Sequence, residues 1–216
     1  MSNLIHRLMI MAAVPKRVAL FGLIQSRRGW NAERIRNYQE KKLQKLIRDC
    51  WEHVPFYKEH WRGHIDGPQD VMTIKDLQKL PVLTKTHVRE NLPALQSRKA
   101  GIKSTEARTG GSTGQPVIFR MTHLDEQLSW AHMYTGWSWA GYQIGDPFLV
   151  VGGESVGVGL SDKRSTKDKV MNRWVTSGSN ITLERTKALV ESSAFHTFTL
   201  FYGYPNSIRE LCECLL

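Results

Sequence analysis

From Glu33 to Val54, apolar residues return at mostly three- and four-residue spacing, at Ile35, Tyr38, Leu43, Leu46, Ile47, Cys50, Trp51 and Val54, with basic residues between them. That period predicts an amphipathic helix. Pro55 ends it, because the residue before a proline is driven out of helical geometry. Upstream, Leu4 to Ile24 is apolar only in patches, broken by His6-Arg7 and Pro15-Lys16-Arg17. The breaks argue against an uninterrupted membrane span. The run Leu8–Val14 is short for the apolar core of a signal peptide, and no cleavage box follows it. Packing on the protein's own core is the expectation here; an interfacial helix with Phe21, Leu23 and Ile24 as its apolar side is the other reading.

Beyond a polar loop with Gly63, Gly67 and Pro68, Thr73 caps a short helix through Lys79, and Thr84 caps another from Lys85 to about Leu92. Arg98 to Arg108 is polar and predicts no element. Val117-Ile118-Phe119-Arg120 reads as a strand, and Thr122 opens a helix to about Ala140 whose inner side would be Leu124, Leu128, Ala131, Tyr134 and Trp137 or Trp139. Phe148-Leu149-Val150-Val151 is wholly apolar, as an inner strand covered on both faces would be. Glu154 to Thr176 is polar and reads as a long loop. A strand at Ile181–Leu183, a helix from Glu184 to Ser193, a strand from Phe195 to Tyr202 and a helix from Asn206 to Leu216, capped by Asn206 or Ser207, complete the pattern. Alternating strands and helices predict an α/β fold: a layered sheet with flanking helices, preceded by a helical N-terminal region. The expected division is a helical region, 1–104, packing on an α/β part, 105–216, within one structural domain.

Charge changes this picture in one half only. Residues 1–108 carry 21 Lys/Arg against 10 Asp/Glu, a net of +11, whereas residues 109–216 carry 9 against 10. A face this basic suits an acidic partner, such as a phosphorylated ligand or an anionic membrane surface. No nucleic-acid module accompanies it, so nucleic acid is not an expected partner; weak peripheral membrane contact through the basic half is. Solvated helix faces account for the same charges. The oligomeric state is not legible.

The three cysteines, Cys50, Cys212 and Cys214, have no CxxC spacing and predict neither a disulfide framework nor a zinc site, which fits a reducing cytoplasm. His60 and His64 have the spacing of a helical metal pair, but Gly63 and Pro55 weaken the helix such a pair needs, so no metal site is expected.

Candidate chemistry concentrates in Thr109-Gly110-Gly111-Ser112-Thr113-Gly114-Gln115-Pro116. Glycines let the backbone approach a ligand closely, and hydroxyls beside successive amides form an anion-binding concavity. A surface turn has the same composition. A Walker-type loop would need Gly-Lys-Ser/Thr, which Gly114-Gln115-Pro116 lacks. Gly110-Gly111-Ser112-Thr113-Gly114 also spells the nucleophile elbow of a serine hydrolase, with Ser112 as nucleophile and His123, His132 or His196 as base. An elbow sits between an apolar strand and a helix, and Lys103 to Arg108 is polar.

Thr109 to Pro116 also resembles the phosphate-binding loop of the adenylate-forming enzymes: Ser/Thr, Ser or Gly, Gly, Ser/Thr, Thr, Gly, any residue, Pro. Val54-Pro55-Phe56-Tyr57, Leu80-Pro81-Val82-Leu83-Thr84-Lys85, Ala140-Gly141-Tyr142-Gln143-Ile144-Gly145-Asp146 and Gly203-Tyr204-Pro205 stand in the same order as in the phenylacetate-CoA ligase group and its relatives associated with capsular polysaccharide synthesis. The resemblance covers the chain from about Arg17 onward. It implies an AMP-forming ligase that joins a small carboxylic acid to ATP, releases pyrophosphate and passes the acyl group to coenzyme A, with Mg²⁺ on the phosphates. Thr109, Gly110, Gly111, Ser112, Thr113 and Gly114 would bind the nucleotide's phosphates. Val117 stands where many superfamily members have Lys. The segments that in such enzymes carry the Mg²⁺-binding Glu, the ribose-binding Asp and the late catalytic Lys have no counterpart before Leu216. The expectation is therefore an incomplete N-terminal domain, inactive alone, with no catalytic residue assignable. A basic peripheral module on an anionic surface is the non-enzymatic alternative.

Overall fold

The computed structural model describes residues 2–109, 116–153, 163–178 and 181–214. In chain order the helices and strands are α1 (Ser2–Ala13), α2 (Pro15–Gln25), α3 (Ala32–His53), α4 (Pro55–His60), α5 (Lys85–Glu90), β1 (Ser104–Arg108), β2 (Ile118–Thr122), α6 (His123–Trp139), β3 (Phe148–Gly152), α7 (Thr166–Val170), β4 (Arg173–Ser177), α8 (Leu183–Glu191), β5 (Leu200–Gly203) and α9 (Pro205–Glu213). They form two compact units interleaved along the chain, Arg27–Glu126 on one side and Met1–Ser26 with Gln127–Leu216 on the other.

The second of these is a layered α/β structure. Three parallel strands lie in the order β4-β3-β5, with β3 in the middle. Its side chains alternate between faces, as the strand period requires. Phe148 and Val150 join Tyr134 of α6, Tyr142 and Val175, with Phe21 of α2 packed on them. Leu149 and Val151 face the other way, onto Leu211 and Ile208 of α9 and Leu189 of α8. All five residues of β3 are buried, as its apolar run predicts. Of the basic residues read as a solvated face, Arg17 is buried: its Nε donates to Gln127 Oε1 at 3.1 Å and its guanidinium lies over Trp130. Helix α1 turns away from α2 by 105°, and no single described helix is long and apolar enough to cross a membrane. It lies against the turn at Gly145, where a Cβ would sit 2.7 Å from the Asn3 carbonyl oxygen; the φ of +104° there is likewise suited to glycine.

In the unit Arg27–Glu126, helix α3 runs to His53 as its period predicts, and Asn31 caps it by accepting from the Arg34 N–H. Ile47 of α3 packs with Trp61, Ile65 and Val71, and Trp51 stacks on Trp61 at 6.5 Å. Pro55 is the first residue of α4, where its missing N–H costs nothing. Thr73 and Thr84 cap the short helices they were expected to cap.

Several elements differ from the sequence expectation. The polar stretch 98–108 contains a strand, β1, because pairing with β2 rather than an apolar face holds it. Within the expected loop 154–176, residues 154–162 lie outside the described residues, but α7 and β4 follow. Ser165 and Asp168 close a capping box around the first turn of α7. The expected strand at Ile181–Leu183 is instead a helix start, with Thr182 accepting from the Arg185 N–H. Phe195–Thr197 is a 3₁₀ turn, so only Leu200–Gly203 of that stretch is strand. Tyr204, not Asn206 or Ser207, precedes α9, since Pro205 is its first residue. In α6 Leu124 and Trp139 are exposed while Gln127 and Thr135 are buried: Gln127 accepts from Arg17 of α2, and the Thr135 hydroxyl donates back to the Ala131 carbonyl.

Candidate phosphate-binding hairpin

The glycine-rich stretch is the connection of an antiparallel hairpin. Strands β1 and β2 pair in register from Ser104↔Thr122 to Arg108↔Ile118. One residue further, the Thr109 N–H donates to the Val117 carbonyl at 3.0 Å, and the Val117 N–H donates to Thr109 Oγ1 at 2.9 Å. Thr109 thus clamps the base of the connection. Because Oγ1 accepts in this bond, its own O–H remains available to a ligand. Gly110, Gly111, Ser112, Thr113 and Gly114 lie outside the described residues, so of the expected phosphate-binding set the structure places Thr109, which is exposed. The elements around the stretch bear on the elbow reading of Ser112: an elbow joins a strand to a helix, and here both flanks are strands of one hairpin.

Thr109→Val removes the hydroxyl clamp at little change of volume. The Val117 amide is expected to exchange about fivefold faster, equivalent to about 1 kcal/mol of local opening. Hydrogen exchange resolved at Val117 checks this; an unchanged rate would show that the clamp contributes nothing.

Two arginines of the hairpin are fixed in place. Arg108 donates from Nε and NH2 to Glu106 Oε1 at 3.2 and 3.0 Å, an exposed pair that contributes little to stability. Arg120 donates from Nε to Ser104 Oγ at 2.9 Å and from NH2 to the Ser104 carbonyl at 3.0 Å. Beside Arg120 lies a cleft of about 570 Å³ lined by apolar side chains such as Tyr57, Leu83, Val88, Leu92 and Phe119. The Arg108–Glu106 pair is local, two residues apart on one face of β1, whereas the Arg120–Ser104 contact depends on strand register and has no local signal in the sequence.

Elsewhere the reactive groups are quiet. Burial, with Asp49 beside it, pushes the Cys50 thiol up to about 11, which keeps it protonated and unsuited to nucleophilic work. His60 and His64 do not share a helix face, since α4 ends at His60 and Gly63 takes a φ of +77°. Burial and the neighbouring His87 and His64 hold His60 below the usual imidazole range. Among the described residues no three His, Cys, Asp or Glu side chains are grouped as a metal site.

At the carboxyl ends of the parallel strands, where open α/β sheets bind ligands, three glycines converge. The Gly178 N–H donates to the Gly152 carbonyl at 2.8 Å, and Gly203 lies against Val151.

A search of solved structures finds this architecture in 2-hydroxyisobutyryl-CoA ligase. The crystal structure of that enzyme with 2-HIB-AMP and CoA in the thioesterification state matches 87% of this chain and 41% of its own, at 21% identity and a TM-score of 0.61. Its postadenylation state with R3-HIB-AMP matches with a TM-score of 0.62 at 20% identity. The chain has the fold of part of a CoA ligase. In sequence it is 27% identical over 95 residues to a phenylacetate-coenzyme A ligase of Thermus thermophilus, a match covering 43% of this chain and 21% of that protein. It is 27% identical over 100 residues to the enzyme of the same name from Aromatoleum evansii, covering 46% and 22%. The matched part thus spans about a fifth of the length of these curated relatives. No family model matches the sequence. The relatives in sequence and the neighbours in structure are alike named CoA ligases.

Proposed function

We propose that this chain supplies the phosphate-binding part of an AMP-forming carboxylate ligase of the phenylacetate-CoA ligase group and its relatives associated with capsular polysaccharide synthesis. The observation that carries the reading is that Thr109–Pro116 forms the connection of a clamped hairpin in a chain with a CoA-ligase fold. In the reaction proposed, a carboxylate oxygen attacks the α-phosphorus of ATP, pyrophosphate leaves, and a thiol such as that of coenzyme A then displaces AMP from the acyl group. The hairpin's task is to hold the phosphates that become pyrophosphate. Fixed N–H and O–H donors stabilise negative charge as it develops there, with Ser112, Thr113 and Thr109 as the hydroxyls and Gly110, Gly111 and Gly114 allowing close backbone approach. Among the described residues no three carboxylates are grouped where they would hold Mg²⁺, so the resemblance assigns the metal no ligand in this chain. The match to 41% of a CoA ligase motivates the further proposal that these residues do not complete adenylation by themselves.

Calorimetric titration with pyrophosphate tests the reading. The chain should bind it, and Ser112→Ala with Thr113→Ala should weaken binding about tenfold. Equal affinity of the double variant would remove the loop assignment, and ATP–pyrophosphate exchange by these residues alone would overturn the claim that they act only in part.

A further inference from the structure

Helix α1 presents an aliphatic face that nothing in its own unit covers. Leu4, Ile5, Leu8, Met9 and Met11 are 61%, 58%, 57%, 38% and 44% exposed, whereas Ile10 is fully buried. At about 100° per residue these five side chains fan over an arc of roughly 160°. Its opposite side, with Ile10 and with Asn3 donating to Asp146 Oδ1 at 2.9 Å, is the docked side. The helix is held there by α2, whose Arg17 and Phe21 are anchored on α6.

The arc is broader than the narrow seam by which a helix pairs with one other helix, and no polar side chain interrupts it. The charged side chains of α1 and of the start of α2 are cations, while Asp146, which accepts from Asn3, lies on the docked side. No Asp or Glu occurs before Glu33, and Arg7 on α1 and Lys16 at the start of α2 are exposed. Twelve residues reach about 18 Å, short of the roughly 30 Å of a bilayer's hydrocarbon core, and the 105° bend at Val14 keeps α2 from extending the run. A short helix with a wide aliphatic arc and cations on its own exposed flanks has the chemistry of one that lies in a membrane interface.

We propose that α1 attaches this protein to an anionic lipid surface, with Leu4, Ile5, Leu8, Met9 and Met11 entering the acyl boundary and Arg7 and Lys16 meeting the headgroups. This reading is independent of the ligase assignment and locates the membrane contact on the first helix rather than on the strongly basic α3. A carboxylate ligase held there would meet acids or acceptors that partition into lipid.

The test is co-sedimentation of the full chain with vesicles of phosphatidylcholine mixed with phosphatidylglycerol, across a salt series, with phosphatidylcholine vesicles in parallel. Wild type should bind the anionic vesicles and lose affinity as salt rises. Leu4→Gln with Leu8→Gln should weaken binding about tenfold, with the far-ultraviolet circular dichroism unchanged since both positions are exposed. Arg7→Gln with Lys16→Gln should weaken binding to the anionic vesicles while leaving the weaker binding to phosphatidylcholine as it was. No binding by wild type, or binding to the anionic vesicles by either double variant equal to that of wild type, overturns the proposal. A fall in oligomer size by light scattering for Leu4→Gln with Leu8→Gln, without a change in lipid binding, would instead assign the face to a second copy of the chain.

Discussion

Gly203→Ala is expected to destabilise the protein by about 3 kcal/mol, the upper end of overpacking costs. A Cβ at Gly203 would stand 1.9 Å from the Val151 carbonyl oxygen and 2.9 Å from its carbon. Both are backbone atoms of the middle strand, so no rotamer change relieves the contact. Strand β5 would have to shift, and its Leu200 to Gly203 pairing with Phe148 to Val151 would shift with it. Gly22→Ala is the natural control. Gly22 is an exposed position in α2 with nothing within 4 Å of the added carbon, so that variant should gain roughly 0.5–1 kcal/mol from the better helix former. Urea unfolding separates the two: the midpoint falls for Gly203→Ala, rises for Gly22→Ala, and the slope stays constant. Coincident midpoints would mean that β5 is not seated on β3 as described.

Asp168→Ala is expected to cost a similar amount, about 3 kcal/mol. Asp168 is buried, and its Oδ2 accepts from the Ser165 N–H at 2.9 Å and the Ser165 hydroxyl at 2.7 Å. Arg173 Nε donates to Oδ1. One carboxylate therefore caps α7 and neutralises a guanidinium at the start of β4. Burial opposes its ionisation, but the bonds from Ser165 and Arg173 outweigh that and hold the carboxyl below its ordinary range. A group whose folded-state pKa is depressed contributes its full stabilisation above the unfolded carboxylate pKa, at about pH 4, and loses it as pH falls through the folded value. Wild type should therefore lose stability more steeply than Asp168→Ala as pH is lowered below about 4. Asp49 and Asp76 are depressed too, by Lys45 and Lys79 first of all, so only the difference between the two curves reports Asp168. Parallel curves would show that this carboxylate is not coupled to folding.

What the sequence disclosed depended on whether a residue's role is local. The 22 residues of α3 repeat the helical period and stop before Pro55, both readable within one window, whereas the cap at Asn31 emerged only with the structure. The all-apolar β3 announces a strand covered on both faces. Strand β1 does neither: Ser104-Thr105-Glu106-Ala107-Arg108 has no apolar alternation, and only its partner across the glycine stretch makes it a strand. Strand β4 was hidden by the lysines around α7, although Trp174-Val175 sends one side chain to each face of the sheet. At the hairpin, the composition of residues 109–116 suggested phosphate chemistry and the order of landmarks suggested a family. The clamp at Thr109 and the seating of Arg120 on Ser104 needed the register, which no single stretch encodes.

The docking of α1 on the Gly145 turn and beside α7 also sets an order of events during synthesis. Helix α1 is made before the surface that holds it, which ends near Val170. At roughly 5–20 residues per second, its docking side stays without its seat for about 8–30 s after α1 itself is complete. For that interval the aliphatic helix is open on both sides, so a membrane or a chaperone can engage it before its own unit does.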